Sequence, residues 1–291
     1  MANVIKIKKG LDINLKGKAS DVLLNGGKSD SYAIVPDYYN GIVPKVVAKV
    51  GEKVKAGSVL MIDKNRPEIK FVSPVSGEVT AVNRGEKRKV LSVVVKPEAQ
   101  IEYEDFGKKN VASLKREEVK EAILHAGMWP FIKQRPYDIV ASPADEPRDI
   151  FVSAFYSAPL APNFDFVVKG QEVDFQTGLD ALAKLTDGKV YVGIRKGSSV
   201  SVKGVETVEV EGPHPAANVG VQINHIKPIN KGEVVWTVNP ADVIVIGRLF
   251  NKGIADFSRL VVITGSETTE RGYVKAIAGC TIASLVDGKI M

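Results

Sequence analysis

An internal quasi-repeat of short strand patterns and glycine turns occupies residues 41–97 and constrains the fold more than any other feature. Gly-Ile-Val at 41–43, followed by Gly-Glu-Lys-Val at 51–54, is answered by Gly-Glu-Val at 77–79 and Gly-Glu-Lys at 85–87. Each half contains only a few short strands and cannot cover its own apolar face. The two halves must pair, and the sequence therefore predicts a small all-β module.

This pattern resembles the barrel-sandwich hybrid of biotinyl/lipoyl-type carrier domains, in which the modified lysine sits at the tip of the hairpin that joins the halves. Asp63 and Lys64 lie at that place. A lipoylated or biotinylated Lys64 is one interpretation, but the hairpin continues Asn-Arg-Pro and is longer than carrier hairpins. We favour the alternative, a solvated turn lysine with no covalent role.

Size and composition predict a multidomain globular protein. The chain has 291 residues, with 44% apolar and 25% charged residues, which suggests two or three domains. Its apolar runs are much shorter than the ~18 residues that a membrane span requires. The single cysteine, Cys280, rules out an internal disulfide framework and favours a reducing compartment, by default the cytosol. The net charge of +6 is spread without interleaved aromatics, which argues against nucleic acid as a partner.

Helices and strands alternate across residues 98–254, which predicts βαβ units on a partly parallel sheet, a Rossmann-like α/β domain. Ser113 is predicted to cap a helix that ends at Gly127. Residues 1–40 read as a segment of short strands that packs on the later domains. Further strands are predicted at 150–154, around 164–168, at 190–194 and at 207–210, and further helices at 175–182 and 240–251.

The helix at 240–251 is predicted against its β-branched composition, because Asn239 and Pro240 form a strong helix start. After it, residues 259–264 and 273–277 read as a hairpin and residues 281–286 as a helix start. Residues 255–291 are therefore expected to begin a β-grasp (SLBB-like) domain whose remaining strands are missing, as in a truncated chain. The predicted class is α+β or α/β with several domains, divided at 1–40, 41–97, 98–254 and 255–291.

Catalytic and metal-binding motifs are absent from the sequence. There is no dinucleotide fingerprint or Walker loop, and the three histidines lack metal-ligand spacing. An aromatic loop at 127–137 follows the predicted helix. It allows two interpretations: a wall for a flat apolar ligand with Arg135 or Lys133 at its polar edge, or a core-plugging loop with its aromatics buried. The candidate residues are Trp129, Phe131, Arg135 and Tyr137.

A second unusual segment, residues 211–220, follows a predicted strand and so lies at the carboxyl end of the sheet, where open α/β folds bind ligands. Prolines on both sides of His214 stiffen it. His214 could donate to an anion or a carbonyl, with Asn218 in the same loop, or the segment could be a rigid turn that positions the next helix or a partner.

Several stretches together resemble one family, the A subunit of the sodium-translocating NADH:quinone reductases of bacterial respiratory membranes. They run through nearly the whole chain in family order. The resemblance extends distantly to the NADH- and flavin-binding subunit of respiratory complex I and to the C subunit of Rnf complexes. The stretches are Ile-Lys-Lys-Gly-Leu-Asp at 7–12, Lys-Phe-Val-Ser-Pro-Val-Ser-Gly at 70–77, Asn-Arg-Gly at 83–85, Gly-Leu-Asp at 178–180, Gly-Lys-Val-Tyr-Val at 188–192 and Gly-Pro-His-Pro-Ala at 212–216.

The resemblance implies a peripheral subunit on the cytoplasmic face of the inner membrane that works with membrane subunits. In the flavin-binding relatives a glycine-rich loop holds flavin mononucleotide. Here bulky residues at 127–131 take that place, so this chain is expected to bind no cofactor of its own. FMN, FAD, iron–sulfur and NADH are expected in partner subunits. The chain either contributes to binding ubiquinone or menaquinone, or it is a non-catalytic scaffold that docks the membrane subunits.

Overall fold

A computed structural model describes residues 4–291. In these residues seventeen strands form four sheets, and six α-helices accompany them. The helices are α1 (Arg116–His125), α2 (Phe164–Val168), α3 (Glu172–Lys184), α4 (Val219–Ile226), α5 (Pro240–Lys252) and α6 (Ile282–Val286). The strands are β1 (Val4–Lys6), β2 (Leu23–Leu24), β3 (Tyr32–Ile34), β4 (Pro44–Val46), β5 (Lys53–Val54), β6 (Val59–Asp63), β7 (Lys70–Val72), β8 (Gly77–Arg84), β9 (Val90–Pro97), β10 (Ile132–Arg135), β11 (Ile139–Val140), β12 (Ile150–Ser153), β13 (Val190–Arg195), β14 (Glu206–Glu211), β15 (Val235–Val238), β16 (Ser258–Ile263) and β17 (Gly272–Ile277).

The all-β module is a barrel-sandwich hybrid, as its quasi-repeat predicts. One sheet has the order β3-β9-β8-β5 and the other β4-β6-β7. The two sheets cover each other's apolar faces, and Leu60, Val79 and Val93 are fully buried between them. Because β3 pairs with β9, the N-terminal segment contributes a strand to this module.

The outer face of the module packs on the α/β domain. Phe71 and Val72 of β7 belong to the same buried cluster as Trp129. Gly127 has a positive φ of 67°, and a Cβ atom there would lie 2.5 Å from Val72 Cγ1. Glycine is therefore required at this junction by both backbone conformation and close packing.

The hairpin tip that carries Lys64 is tied to the α/β domain. The buried Asp63 carboxylate accepts hydrogen bonds from the backbone N–H of Val43 (3.0 Å) and from Arg66 Nε (2.8 Å). Arg66 in turn donates to the carbonyl of Val140 in β11 at 3.2 Å. Lys64 itself is exposed between these anchors. The lengthened hairpin thus serves as a contact between domains.

The largest sheet has the order β1-β14-β13-β12-β15-β10-β11 and is partly parallel, as the alternation predicts. Five neighbouring strands run parallel, in the order β1, β14, β13, β12 and β15, and β10 and β11 add an antiparallel edge beside β15. From β12 the chain moves to β13 and β14 on one side and then returns to β15 on the other. The strand order therefore reverses between β12 and β15.

The predicted helix at 240–251 is confirmed as α5, and the Asn239 side chain accepts from the backbone N–H of Ala241 at 3.0 Å. Two predictions are wrong. Residues 164–168 form helix α2 instead of a strand, because the Asn163 side chain caps the backbone N–H of Asp165. Ser113 does not cap α1, which begins after Lys115 and ends at His125, two residues before Gly127.

The C-terminal hairpin is confirmed as β16 and β17, and α6 follows it. Strand β2 of the N-terminal segment pairs in parallel with β17 and completes a three-stranded sheet. The N-terminal forty residues thus supply one strand each to three different sheets. In the described part of the chain, no helix combines the length and the apolar character needed to cross a bilayer.

The start of β12 is held by a buried carboxylate. Asp149, with 1% of its side chain exposed, accepts from Arg148 Nε at 2.7 Å and the backbone N–H of Lys189 at 3.1 Å, and lies 2.8 Å from Lys227 Nζ. Burial raises the pKa of Asp149, but hydrogen bonds from Lys227, Lys189 and Arg148 outweigh burial and leave it below its ordinary value. Because the pKa is lower in the folded state, the Asp149 carboxylate stabilises the fold at pH values above about 3.9, the pKa of an aspartate in the unfolded chain. This stabilisation is lost as the pH falls through the lower pKa of the folded state.

Replacing Asp149→Asn is therefore expected to lower the free energy of unfolding at pH 7 by about 2–3 kcal/mol, as for loss of charged hydrogen bonds in a buried network. The difference from the wild type should shrink below about pH 4. Urea denaturation at several pH values measures both effects. Asp187→Asn is the control, because its side chain is 85% exposed beside Arg116 and such pairs contribute little. An equal loss in both variants would contradict the assignment.

Candidate functional site

A cleft of about 770 Å³ opens at the carboxyl ends of β12 and β15, where the strand order of the large sheet reverses. This is the position at which open α/β sheets bind ligands, because the chain leaves adjacent strands in opposite directions and opens a crevice between them. Ser153 and Thr237 mark the two strand ends in its floor. We call it the switch-point cleft.

Aromatic side chains form much of the wall of the switch-point cleft. Phe131 follows the turn after α1, Tyr39 comes from the N-terminal segment, and Tyr156 lies beyond β12. Burial raises the pKa of both Tyr39 and Tyr156 to about 12, with nearby Asp242 adding to the effect. Both hydroxyls therefore stay protonated at neutral pH. Tyr156 donates to Asn239 Oδ1 at 3.2 Å, whereas Tyr39 Oη has no hydrogen-bond partner within residues 4–291.

Charged side chains stand beside these rings. Lys133 Nζ lies 5.3 Å from the centre of the Tyr39 ring, and Asp242 Oδ1 lies 3.1 Å from Arg259 Nη2. Burial lowers the pKa of Lys133 and raises that of Asp242, although Asp138 and Asp242 oppose the first shift and Arg259 the second. Arg135 also lines the cleft, with Nε 3.4 Å from Asp138 Oδ1. The cleft thus combines cationic donors with a partly desolvated carboxylate.

Two helices begin at the cleft, α5 after Asn239 and α4 after Asn218. The Asn218 side chain makes no cap, and the backbone N–H groups of Val219 and Gly220 have no partner in the described chain. The start of α4 is held on β12, because Ser153 Oγ donates to the carbonyl of Ala217 at 2.8 Å. The cleft therefore presents backbone N–H donors at a fixed helix N-terminus.

The structure brings together Phe131, Arg135 and Asn218 of the residues that the sequence singled out. Trp129 does not line the cleft. It is fully buried, donates from Nε1 to the carbonyl of Ala141 at 2.8 Å and packs edge-on against Trp236. Tyr137 lies outside the cleft with 80% exposure. The aromatic loop thus divides into a core residue, a cleft-lining residue and an exposed one.

His214 also lies outside the switch-point cleft and joins three segments of the chain. Its Nδ1 is 3.1 Å from Ser157 Oγ, and its backbone N–H donates to Asp12 Oδ1 at 2.9 Å. Its carbonyl accepts from the backbone N–H of Leu11 at 2.9 Å. This position gives the loop at 211–220 a structural role in holding the N-terminal segment on the domain.

Sequence reasoning missed Tyr39, Tyr156 and Asp242. Tyr39 reaches the cleft from the N-terminal segment, which is distant in sequence from the α/β domain, so no local pattern could indicate it. Asp242 could have been found from the sequence, because it lies in the first turn of a helix that has a clear start signal and follows a buried strand. Residues 4–291 contain no group of three or more His, Cys, Asp or Glu side chains placed to hold a metal ion.

Chemically, the switch-point cleft suits a flat, mostly apolar ring that carries carbonyl oxygens. The aromatic side chains can cover the faces of such a ring. The Tyr39 hydroxyl, Lys133 Nζ and the free N–H groups at the start of α4 can donate to its oxygens.

Comparison with known proteins matches the chain to two family models. The model described as "NqrA N-terminal barrel-sandwich hybrid domain" covers residues 5–98, and the one described as "NqrA second alpha/beta domain" covers residues 114–255. A crystal structure of an NAD+-reducing [NiFe]-hydrogenase in the H2-reduced state covers 60% of this chain and 39% of its own, with 13% identity and a TM-score of 0.41.

Three relatives are each named as the A subunit of the Na(+)-translocating NADH-quinone reductase, and each aligns over 99% of this chain. The protein from Neisseria meningitidis serogroup A is 35% identical, and those from Hahella chejuensis and Vibrio atlanticus are each 36% identical. The chain spans 66%, 65% and 66% of their respective lengths, about two thirds. Identity at this level along the whole chain, together with both domain matches, shows common descent, and the chain belongs to the family of the A subunit of the Na(+)-translocating NADH-quinone reductase.

Proposed function

We propose that this chain is a peripheral subunit of a sodium-translocating NADH:quinone reductase and that its switch-point cleft binds the quinone head group. The names of its relatives support membership of such a complex. In this proposal the chain lies on the cytoplasmic face of the membrane beside the membrane subunits. It holds no flavin or iron–sulfur centre, and the redox cofactors belong to its partners.

The observation that carries the quinone proposal is the composition of the cleft. Phe131 and Tyr156 offer apolar ring faces, while Tyr39 and Lys133 offer hydrogen-bond donors beside them. A quinone ring is flat and apolar on its faces and has a carbonyl oxygen at each end. Binding needs aromatic walls for the faces and donors for the oxygens, and the cleft provides both.

Phe131→Ala is expected to weaken binding of a short-chain, water-soluble quinone about tenfold, since an aromatic contact contributes up to ~1.5 kcal/mol in addition to its buried area. Titration calorimetry with the quinone on the isolated chain measures the dissociation constant. Phe131 also packs against Phe257 and Arg259, so thermal unfolding of the variant must show that the fold is retained. Phe131→Leu provides a second variant that keeps the apolar volume.

Tyr137→Ala is the matched control, since Tyr137 belongs to the same segment but lies outside the cleft. We expect wild-type affinity from this variant. Equal affinity of Phe131→Ala and the wild type, or no quinone binding by the wild-type chain, would contradict the proposal.

One observation favours the alternative, a non-catalytic scaffold that docks the membrane subunits: Leu11, Ile13 and Leu15 are exposed, although the backbone N–H of Leu11 is hydrogen-bonded to the carbonyl of His214. The region beside His214 exposes apolar side chains on a part of the chain that is firmly anchored, and docking rather than chemistry would account for that exposure.

A further inference from the structure

Residues 11–15, which we call the strap, alternate apolar and polar side chains, with every apolar one facing solvent. Leu11 is 70% exposed, Ile13 55% and Leu15 54%. In a strand that covers a core, apolar residues at alternate positions point inward. The strap belongs to no strand, and more than half of the surface of each of its apolar residues is left uncovered by residues 4–291. Large apolar side chains exposed together in one short segment point to an interaction surface.

The strap is held at both ends, so its exposure is not that of a frayed terminus. At one end the backbone N–H of Leu11 donates to the carbonyl of His214, and a Cβ atom at Gly10 would lie 2.1 Å from that oxygen. At the other end the carbonyl of Gly17 accepts from the backbone N–H of Gly265 at 2.9 Å. The apolar row is thereby presented in a fixed position.

The backbone of the strap is also unsatisfied between its anchors. The N–H groups of Asp12, Ile13 and Asn14 donate to no atom of the described chain. Backbone donors require partners wherever they become buried. Whatever covers the strap must therefore supply hydrogen-bond acceptors as well as apolar surface.

The charge around the strap is predominantly positive. Five exposed lysines flank it, and none forms an ion pair in the part of the chain that the structure describes. Two nearby carboxylates accept from neutral donors and pair with none of these lysines, Asp12 from the backbone N–H of His214 and Asp21 from Asn163 Nδ2, so the lysines remain available to a partner. The occupant should be acidic. The lysines are Lys6, Lys8, Lys9, Lys16 and Lys18.

A cleft of about 660 Å³ adjoins the strap, and Ile13 and Leu15 form part of its rim. Phe155, Phe164 and Tyr273 line its interior, and Arg195 sits over the Phe155 ring at 6.0 Å. Arg195 is exposed and has no carboxylate partner within residues 4–291. The cleft extends the apolar and cationic character of the strap into a depression that can receive anchoring side chains.

We propose that the strap and this adjoining cleft dock an acidic segment of a partner polypeptide, whose apolar side chains cover Leu11, Ile13 and Leu15. Its carbonyl groups accept from the free N–H groups of the strap, and its carboxylates pair with Lys16, Lys18 and Arg195. The proposal rests on the proposed membership of a reductase complex, and the switch-point cleft plays no part in it.

A lipid surface also attracts basic and apolar side chains. It fits the strap less well, because insertion of Leu11, Ile13 and Leu15 into the hydrocarbon layer would draw the free N–H groups away from the head-group oxygens, and unsatisfied backbone groups are costly in that layer. A concave cleft also suits a polypeptide better than a flat surface. These two features favour a polypeptide occupant.

Hydrogen exchange of the full chain, free and within the assembled reductase complex, tests the proposal without any substitution. Amides in residues 12–14 should exchange at least tenfold more slowly in the complex. Unchanged exchange in an intact complex would overturn the docking proposal while leaving complex membership in place. Failure of the wild-type chain to assemble with any reductase subunit would instead overturn the proposed function, and the docking proposal with it.

A photo-crosslinking residue in place of Ile13 identifies the occupant in the same complex. The expected product joins Ile13 to a partner segment that carries acidic residues, and Lys16→Gln with Lys18→Gln should reduce its yield several-fold. The same probe at Val173, which is 74% exposed on α3, is the matched control and should give no such product. Crosslinking to lipid only, or equal products from both positions, would overturn the proposal.

Discussion

Replacing Gly247→Ala is expected to lower the free energy of unfolding by at least about 2 kcal/mol, although alanine is ordinarily the better helix residue by ~1 kcal/mol. Gly247 lies in α5 where this helix crosses α3. A Cβ atom at Gly247 would lie 1.7 Å from the carbonyl oxygen of Asp174 and 2.6 Å from its carbonyl carbon. Because both atoms belong to the α3 backbone, no side chain can move aside, and the two helices must separate.

Separation of α3 and α5 also disturbs the buried network around Arg248. This side chain donates to the carbonyl of Ser258 at 2.6 Å and lies 3.6 Å from carboxylate oxygens of both Asp174 and Asp256. Removal of its partners would leave a buried guanidinium unpaired, which adds to the cost. Since α5 also carries Asp242 into the switch-point cleft, a shift of this helix should weaken ligand binding as well.

Gly220→Ala is the matched control, because a Cβ atom at this helical glycine would meet nothing within 4 Å. It should leave the free energy of unfolding unchanged or raise it slightly. Urea denaturation of both variants provides the measurement. The assignment of close helix packing fails if Gly247→Ala and Gly220→Ala have the same effect.

The secondary structure was predictable where local signals are strong. The cap at Asn239 and Pro240 identified α5 despite a run of β-branched residues that is typical of a strand. Asn163 caps α2 in the same way, but the aromatic and β-branched residues at 164–168 are typical of a strand. Helix α2 is only five residues long, so apolar periodicity could not decide between the two.

The candidate site was only partly predictable, because the switch-point cleft arises from the order of strands in the sheet. Phe131 and Asn218 come from distant parts of the sequence and meet because β10 and β12 both flank β15. The position of a cleft at the carboxyl end of the sheet follows from general rules. The contribution of Tyr39 depends on how the β module docks, which no local pattern indicates.

Composition alone also could not separate the aromatic residues of the 127–137 loop. Trp129, Phe131 and Tyr137 lie within nine residues of sequence, yet they are buried, cleft-lining and exposed, respectively. The turn through Trp129–Phe131 directs one ring into the core and a neighbouring ring to the cleft. Substitution of each aromatic residue should therefore produce a different pattern of stability and binding.

Trp129→Ala is expected to lower the free energy of unfolding by about 3–5 kcal/mol, the range for loss of a large buried aromatic side chain. The variant would leave a cavity beside Trp236, whose ring centre is 5.4 Å from that of Trp129. It would also leave the carbonyl of Ala141 without the hydrogen bond from Trp129 Nε1, an added cost because this group is buried. Chemical denaturation measures the loss, and Tyr137→Ala should change stability by less than ~0.5 kcal/mol.

Trp129→Phe separates the structural role of this residue from ligand binding. It keeps an aromatic ring in the core and loses mainly the hydrogen bond to Ala141, so we expect a loss of about 1–3 kcal/mol. Under conditions in which the variant is fully folded, its quinone affinity should equal that of the wild type, because Trp129 does not line the switch-point cleft. Loss of affinity in folded Trp129→Phe with full affinity in Phe131→Ala would reverse the roles assigned to the two residues. The expected result is loss of affinity in Phe131→Ala and full affinity in folded Trp129→Phe, which would place the ligand against Phe131 and confine Trp129 to the core.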